Sequence, residues 1–129
     1  MKPKHLFIAD GAGSVLLGIV FVVLPGLALS VLGIAPHDQA RQLLTALLGA
    51  SLITIGGFEL LMRNDAESAA GIAFMRASIA FDVIGAVLSF VGLVAGIFNV
   101  FGWLFVLVFV VLAALHVFWG LMRPAGRRR

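Results

Sequence analysis

The chain has no cysteine and no tyrosine, and its 129 residues include only nine Lys or Arg and six Asp or Glu. Without cysteine there are no disulfides, thiol redox relays or Cys-based metal sites. Charged residues make up 12%, against about a quarter in soluble domains, which excludes an ordinary water-soluble domain. No Gly-rich loop followed by Lys is present to cradle phosphate. The three histidines, His5, His37 and His116, lie far apart, and no helix carries a His pair at metal spacing, so neither a metal site nor a cofactor is expected. Ser78, Asp82 and His116 make a nominal triad, but nothing supplies an oxyanion hole or a nucleophile turn, and no enzyme is expected.

What the chain does have is apolar length. Hydrophobic residues make up 62%, and the mean hydropathy is +1.16. A spanning helix takes about 20 residues, so four helices and short loops use nearly the whole chain. The expected fold is all-α: an integral membrane four-helix bundle forming one transmembrane domain over 1–129, with helices about 6–24, 39–62, 66–95 and 100–122. A basic start before an apolar run resembles a signal peptide, but Asp10 interrupts the run and argues for a true span. Pro25-Gly26 should break the first helix, leaving Leu27 to Ile34 to extend it at an angle or to lie at the membrane interface. Asp38 and Asp65 are expected to cap the second and third helices, and Asn99 the fourth. The third helix, at ~1.5 Å per residue, should be roughly 45 Å long and project beyond the hydrocarbon core.

Each later helix carries a narrow stripe of small and polar residues. In the third, Ser78, Asp82, Gly85, Ser89, Gly92 and Gly96 recur at spacings of four and three. Lipid offers Asp82 no partner, so this stripe must face protein. The second helix has Thr45, Gly49, Leu52, Gly56, Glu59 and Arg63, and the fourth has Phe109, Ala113, His116, Gly120 and Arg123. Gly49, Gly56, Gly85, Gly92 and Gly96 are read as helix-packing positions. Trp103 and Trp119 are read as interfacial anchors. Asp10-x-x-Gly13 matches Asp82-x-x-Gly85, and Phe58-x-x-Leu61-Met62-Arg63 matches Phe118-x-x-Leu121-Met122-Arg123. Both matches fit two tandem hairpins related by a pseudo-twofold axis along the membrane normal.

Basic residues set the orientation. Lys2 and Lys4 precede the first span, Arg63 and Arg76 flank the loop after the second, and Arg123, Arg127, Arg128 and Arg129 follow the last. The opposite side has only Arg41, so both termini should be cytoplasmic. The same reasoning assigns the high isoelectric point to topology rather than to nucleic acid. The arginine tail, Arg127, Arg128 and Arg129, suits anionic lipid at about 1 kcal/mol per charge. In this orientation Asp10, Glu59 and Arg76 lie roughly 5–6 Å inside the cytoplasmic boundary, His116 roughly 9 Å and Asp82 roughly 12–15 Å. Glu59 precedes Arg63 by four residues, the preferred order for a helix ion pair, and Arg76 is a cross-helix partner for Asp10 or Glu59. Asp82, Asp10 and His116 are the candidate proton or solute site.

Gly18-Ile19, Pro25, Leu32-Gly33 and a Gly-rich second helix ending near Arg63 resemble the repeats of HdeD-like and DoxX-like small membrane proteins. The resemblance covers roughly 13–63 and implies a bacterial inner-membrane protein, with HdeD-like members associated with acid resistance; it assigns no catalytic residue. The sequence reading favours a structural or accessory protein, as a homo-oligomer or a subunit of a larger membrane complex. The alternative is a proton-linked carrier or small-solute binding protein. A carrier needs a cavity reaching Asp82, whereas a packing role needs none.

Overall fold

The computed structural model describes residues 2–36 and 38–122. Arg123 and the tail Arg127, Arg128 and Arg129, with their expected lipid contact, lie outside the described residues, as does His37. The elements are α1 (Pro3–Val23), α2 (Pro25–Val31), α3 (Gln39–Met62), α4 (Ala69–Val94) and α5 (Gly102–Val117), the last continued by a π-helical turn, Phe118–Met122. Four helical segments are long and apolar enough to span a bilayer, with mean hydropathies from 1.7 to 2.6. Only 17–28% of the most apolar window in each is buried inside the protein, so the apolar residues mostly face outward, as in lipid. The chain is a multi-pass membrane protein built as a helical bundle.

Local chemistry sets the helix ends. Pro3 occupies the first turn of α1, where its missing N–H costs nothing, and the helix starts earlier than the apolar run alone indicates. Pro25 does the same for α2, and Leu24 between them leaves the helical region at φ −131°, ψ 53°. Asp38 caps α3 as expected, accepting from the Ala40 N–H at 2.9 Å. The expected cap of α4 is corrected. Asp65 lies in the preceding turn, and Ser68 Oγ accepts from the Gly71 N–H at 3.1 Å. A hydroxyl immediately before the helix outcompetes a carboxylate three residues upstream. The expected cap of α5 is also corrected: Asn99 Oδ1 accepts from Phe101 N–H at 3.0 Å in the preceding turn, but Phe101 directly precedes the helix and no side chain caps it.

Two glycines end helices with left-handed backbones, Gly33 at φ 82° and Gly96 at φ 69°. Each closes a paired bond pattern: Ile34 N–H to Leu29 O and Gly33 N–H to Ser30 O, then Ile97 N–H to Gly92 O and Gly96 N–H to Leu93 O, all at 2.9–3.0 Å. Gly96 is therefore a stop signal and not the packing position expected of it. The two stops meet, because Asn99 donates from its backbone N–H to Leu32 O and from Nδ2 to Val31 O, both at 2.9 Å.

α1 packs antiparallel on α3, and α4 on α5. The first hairpin closes on glycine. A Cβ on Gly56 would lie 2.5 Å from Gly11 O, and one on Gly18 would lie 2.6 Å from Gly49 O. The backbones touch there with no side chain between them. The second hairpin is spaced by rings, with Gly85 against Phe109 and Gly92 against Phe98. Between hairpins the packing is side chain on side chain. At one end Leu6, Phe7, Ala66, Met75 and Trp119 form a core, and Phe74 meets both Phe7 and Phe58. Towards the other end Phe21, Ala28 and Leu52 meet Leu17 and Phe105. Trp119, 5% exposed, belongs to this interior and is not the interfacial anchor expected, whereas Trp103 is 55% exposed.

Gly56→Val is expected to weaken the first hairpin by about 1–3 kcal/mol through forced separation of α1 from α3. Gly57→Ala, which adds a Cβ with nothing within 4 Å, should leave stability unchanged. Reversible denaturant unfolding in mixed micelles, followed by helical circular dichroism, checks both.

Candidate functional site

The stripes converge on one cluster. Asp10 comes from α1, Glu59 from α3, Asp82 from α4 and His116 from the last turn of α5. His116 is completely buried, Glu59 is 1% exposed and Asp82 is 2% exposed. A break from α to π geometry begins two residues after His116, and such irregular turns often mark functional positions. Arg76 donates from Nε to Gly120 O in that turn at 2.9 Å, satisfying one of the free carbonyls at the helix end.

His116 stands between the two aspartates that the repeat motif pairs. Its Nδ1 is 2.7 Å from Asp82 Oδ2, a short charge-assisted contact. Its Nε2 is 3.7 Å from Asp10 Oδ2, beyond hydrogen-bond length. In the neutral imidazole, the tautomer that donates Nδ1–H to an ionised Asp82 leaves Nε2 as a lone pair. Asp10 also accepts from Ser14 Oγ at 3.3 Å and lies within reach of the Glu59 carboxyl. Among the described residues, His116 Nε2 and Glu59 Oε2 are buried with no hydrogen-bond partner. Buried polar atoms left without partners are costly.

The candidate residues Asp82, Asp10 and His116 are thus brought together, with Glu59 as a fourth member. The expected ion pairs are not. Among the described residues no ion pair joins Glu59 to Arg63. Arg63 donates to the Leu60 carbonyl, while Glu59 turns to the glycine face of α3, towards Asp10. Arg76 reaches neither Asp10 nor Glu59, because its guanidinium goes to Gly120 O. Ligand atoms of Asp10, Glu59 and His116 lie within 4.8 Å of one another, a grouping that the spacing of histidines along the sequence does not reveal. Three helices contribute one ligand each, so no sequence spacing encodes it.

Above the cluster the hairpins part around a cavity of about 440 Å³. Asp10, Ser14, Glu59, Ser78 and Asp82 line its polar end, and Leu17, Leu52, Phe81, Phe105, Val108 and Phe109 line its apolar walls. The site is an apolar pocket with convergent polar groups at one end, the usual form of a small-molecule site. No family model, curated protein or solved structure matches the chain.

His116→Leu leaves the Asp82 carboxyl buried without its partner and should destabilise the protein by about 1–3 kcal/mol. Asp82→Asn keeps a carbonyl acceptor for Nδ1–H and should cost less than Asp82→Leu. Parallel unfolding curves of the three variants check the order.

Proposed function

We propose that this is a small-solute binding protein of the bacterial inner membrane, whose cavity takes a compact apolar body with a cationic or hydrogen-bond-donating head. One observation carries the reading: the cavity between the hairpins ends on Asp10, Glu59 and Asp82. A role confined to helix packing needs no such void at Asp82. Asp10, 11% exposed, and Ser14 offer acceptors to a head group, with the buried Glu59 and Asp82 carboxyls behind them, and the aromatic and aliphatic walls offer burial to its body. The reading assigns binding rather than a reaction. The volume suits a molecule of about ten to twenty non-hydrogen atoms, within the range of small-ligand pockets.

The matched pair 1-aminoadamantane and 1-adamantanecarboxylate tests it. In detergent with EDTA, the amine should bind saturably and the acid at least tenfold more weakly. Phe109→Trp, which fills the cavity, and Asp10→Asn, which removes a floor charge, should each weaken amine binding. Equal binding of amine and acid, or binding insensitive to both substitutions, would overturn the reading.

The same proposal puts both termini in the cytoplasm. It is supported by Lys2, Lys4, Arg63 and Arg76 at one end of the spans, against Arg41 alone at the other. Alkaline phosphatase fused to either terminus should be inactive, and green fluorescent protein at the same positions should fluoresce. Active phosphatase at either end would reverse the assignment.

A further inference from the structure

We propose that Asp10, Glu59 and His116 form a binding site for a divalent first-row transition-metal ion. The site shares its floor with the solute pocket but does not depend on any occupant of the cavity.

Three observations converge on it. First, the donor atoms are assembled: one oxygen from each carboxylate and one imidazole nitrogen lie within 4.8 Å of one another. The measured 3.7 Å between His116 Nε2 and Asp10 Oδ2 is too long for a hydrogen bond. It is close to the ~3.4 Å that separates two ligands bound at about 2.1 Å around a tetrahedral ion. Second, among the described residues His116 Nε2 is fully buried, faces Asp10 and has no hydrogen-bond partner, and Glu59 Oε2 is likewise unpartnered. Neither atom has a hydrogen-bond partner among the described residues, so a cation drawn to the grouped donor atoms meets acceptors that nothing else uses. Third, the imidazole is already oriented. Asp82 Oδ2 holds Nδ1 at 2.7 Å, which presents the Nε2 lone pair to the other two residues. A carboxylate behind a histidine is the usual outer support of a histidine–metal bond.

Charge gives the same answer. Two carboxylates inside a bilayer are costly, and one divalent ion neutralises both. The donor set chooses the class of ion. Imidazole with two carboxylates suits Mn²⁺, Fe²⁺, Co²⁺ or Zn²⁺, while Mg²⁺ and Ca²⁺ prefer oxygen alone and a site without thiolate does not favour Cu⁺. Asp10 and Glu59 also line the cavity, so an ion held there has access for a further ligand from that side. Asp82 acts through His116 and is a positioning residue.

The test uses the full chain in detergent, stripped with EDTA, dialysed and freed of any affinity tag. Zn²⁺ is titrated by calorimetry, and Co²⁺ by visible absorption. One equivalent should bind, with Co²⁺ bands of a low-symmetry nitrogen–oxygen site, and tenfold excess Mg²⁺ should not displace it. His116→Gln should abolish the Co²⁺ bands, while His5→Ala with His37→Ala should keep them. Asp82→Asn should keep the bands but weaken binding by about 10–100-fold, as loss of an outer support does. A wild-type protein with no saturable site, or a His116→Gln variant with the wild-type spectrum, would overturn the inference. The wild-type titration decides even where a variant fails to fold. Zn²⁺ bound by a protein that takes no amine upholds this site and sinks the solute reading; amine bound by a protein that takes no Zn²⁺ does the opposite.

Discussion

A carboxylate inside a bilayer has no solvent to return to, so whatever satisfies it must come from the protein. This chain carries three such carboxylates, on three different helices, and a single imidazole to meet them. His116 therefore stands where the two hairpins meet. Its Nδ1 binds within its own hairpin to Asp82 at 2.7 Å, and its Nε2 faces across to Asp10 in the other. Along most of their length the hairpins otherwise meet, among the described residues, through rings and aliphatic chains, which lipid tails could replace at little cost. The polar cluster cannot be replaced that way. At the far end the Asn99 bonds to Val31 and Leu32 provide the second polar tie.

Between those two ties the hairpins are free to separate, and the cavity is the result. Within the first hairpin glycine lets backbones touch, as at Gly11 with Gly56 and Gly18 with Gly49. No comparable glycine pairing joins one hairpin to the other among the described residues. Large side chains such as Phe81, Phe105 and Phe109 stand in the gap and line it rather than filling it. Tight packing inside each unit and loose packing between units place Asp10, Glu59 and Asp82 at the end of a void.

Much of this was legible in the sequence, because membrane helices write their buried face in small and polar residues. The stripes on the second and third predicted spans named Gly49, Leu52, Gly56 and Glu59, then Asp82, Ser89 and Gly92, and all are buried. The failures have particular causes. The pairing of Glu59 with Arg63 used a rule for exposed helix faces, and Glu59 lies instead on the glycine face, turned inward. Gly96 matched a packing spacing, but it sits where the helix stops, and its φ of 69° is set by chain reversal. The grouping of Asp10, Glu59 and His116 depends on crossing angles between helices, which no local pattern records. The cavity was illegible for the same reason.

The two hairpins carry the same short motifs but use the matching position differently. In the register set by Phe58 and Phe118, Gly56 is the counterpart of His116. At Gly56 even a methyl group would collide with Gly11 O at 2.5 Å and crowd Ser14. An imidazole there would force α1 away from α3 and open the hairpin. At His116 the facing helix is held off by larger side chains, and Arg76 secures the turn beyond it. That spacing gives the ring room between Asp82 and Asp10. One hairpin thus spends its equivalent position on closure and the other on chemistry. A symmetric pair could not do both: two glycines would leave Asp82 without its imidazole partner, and two histidines would leave neither hairpin tightly closed. The single imidazole between two matched carboxylates follows from that division.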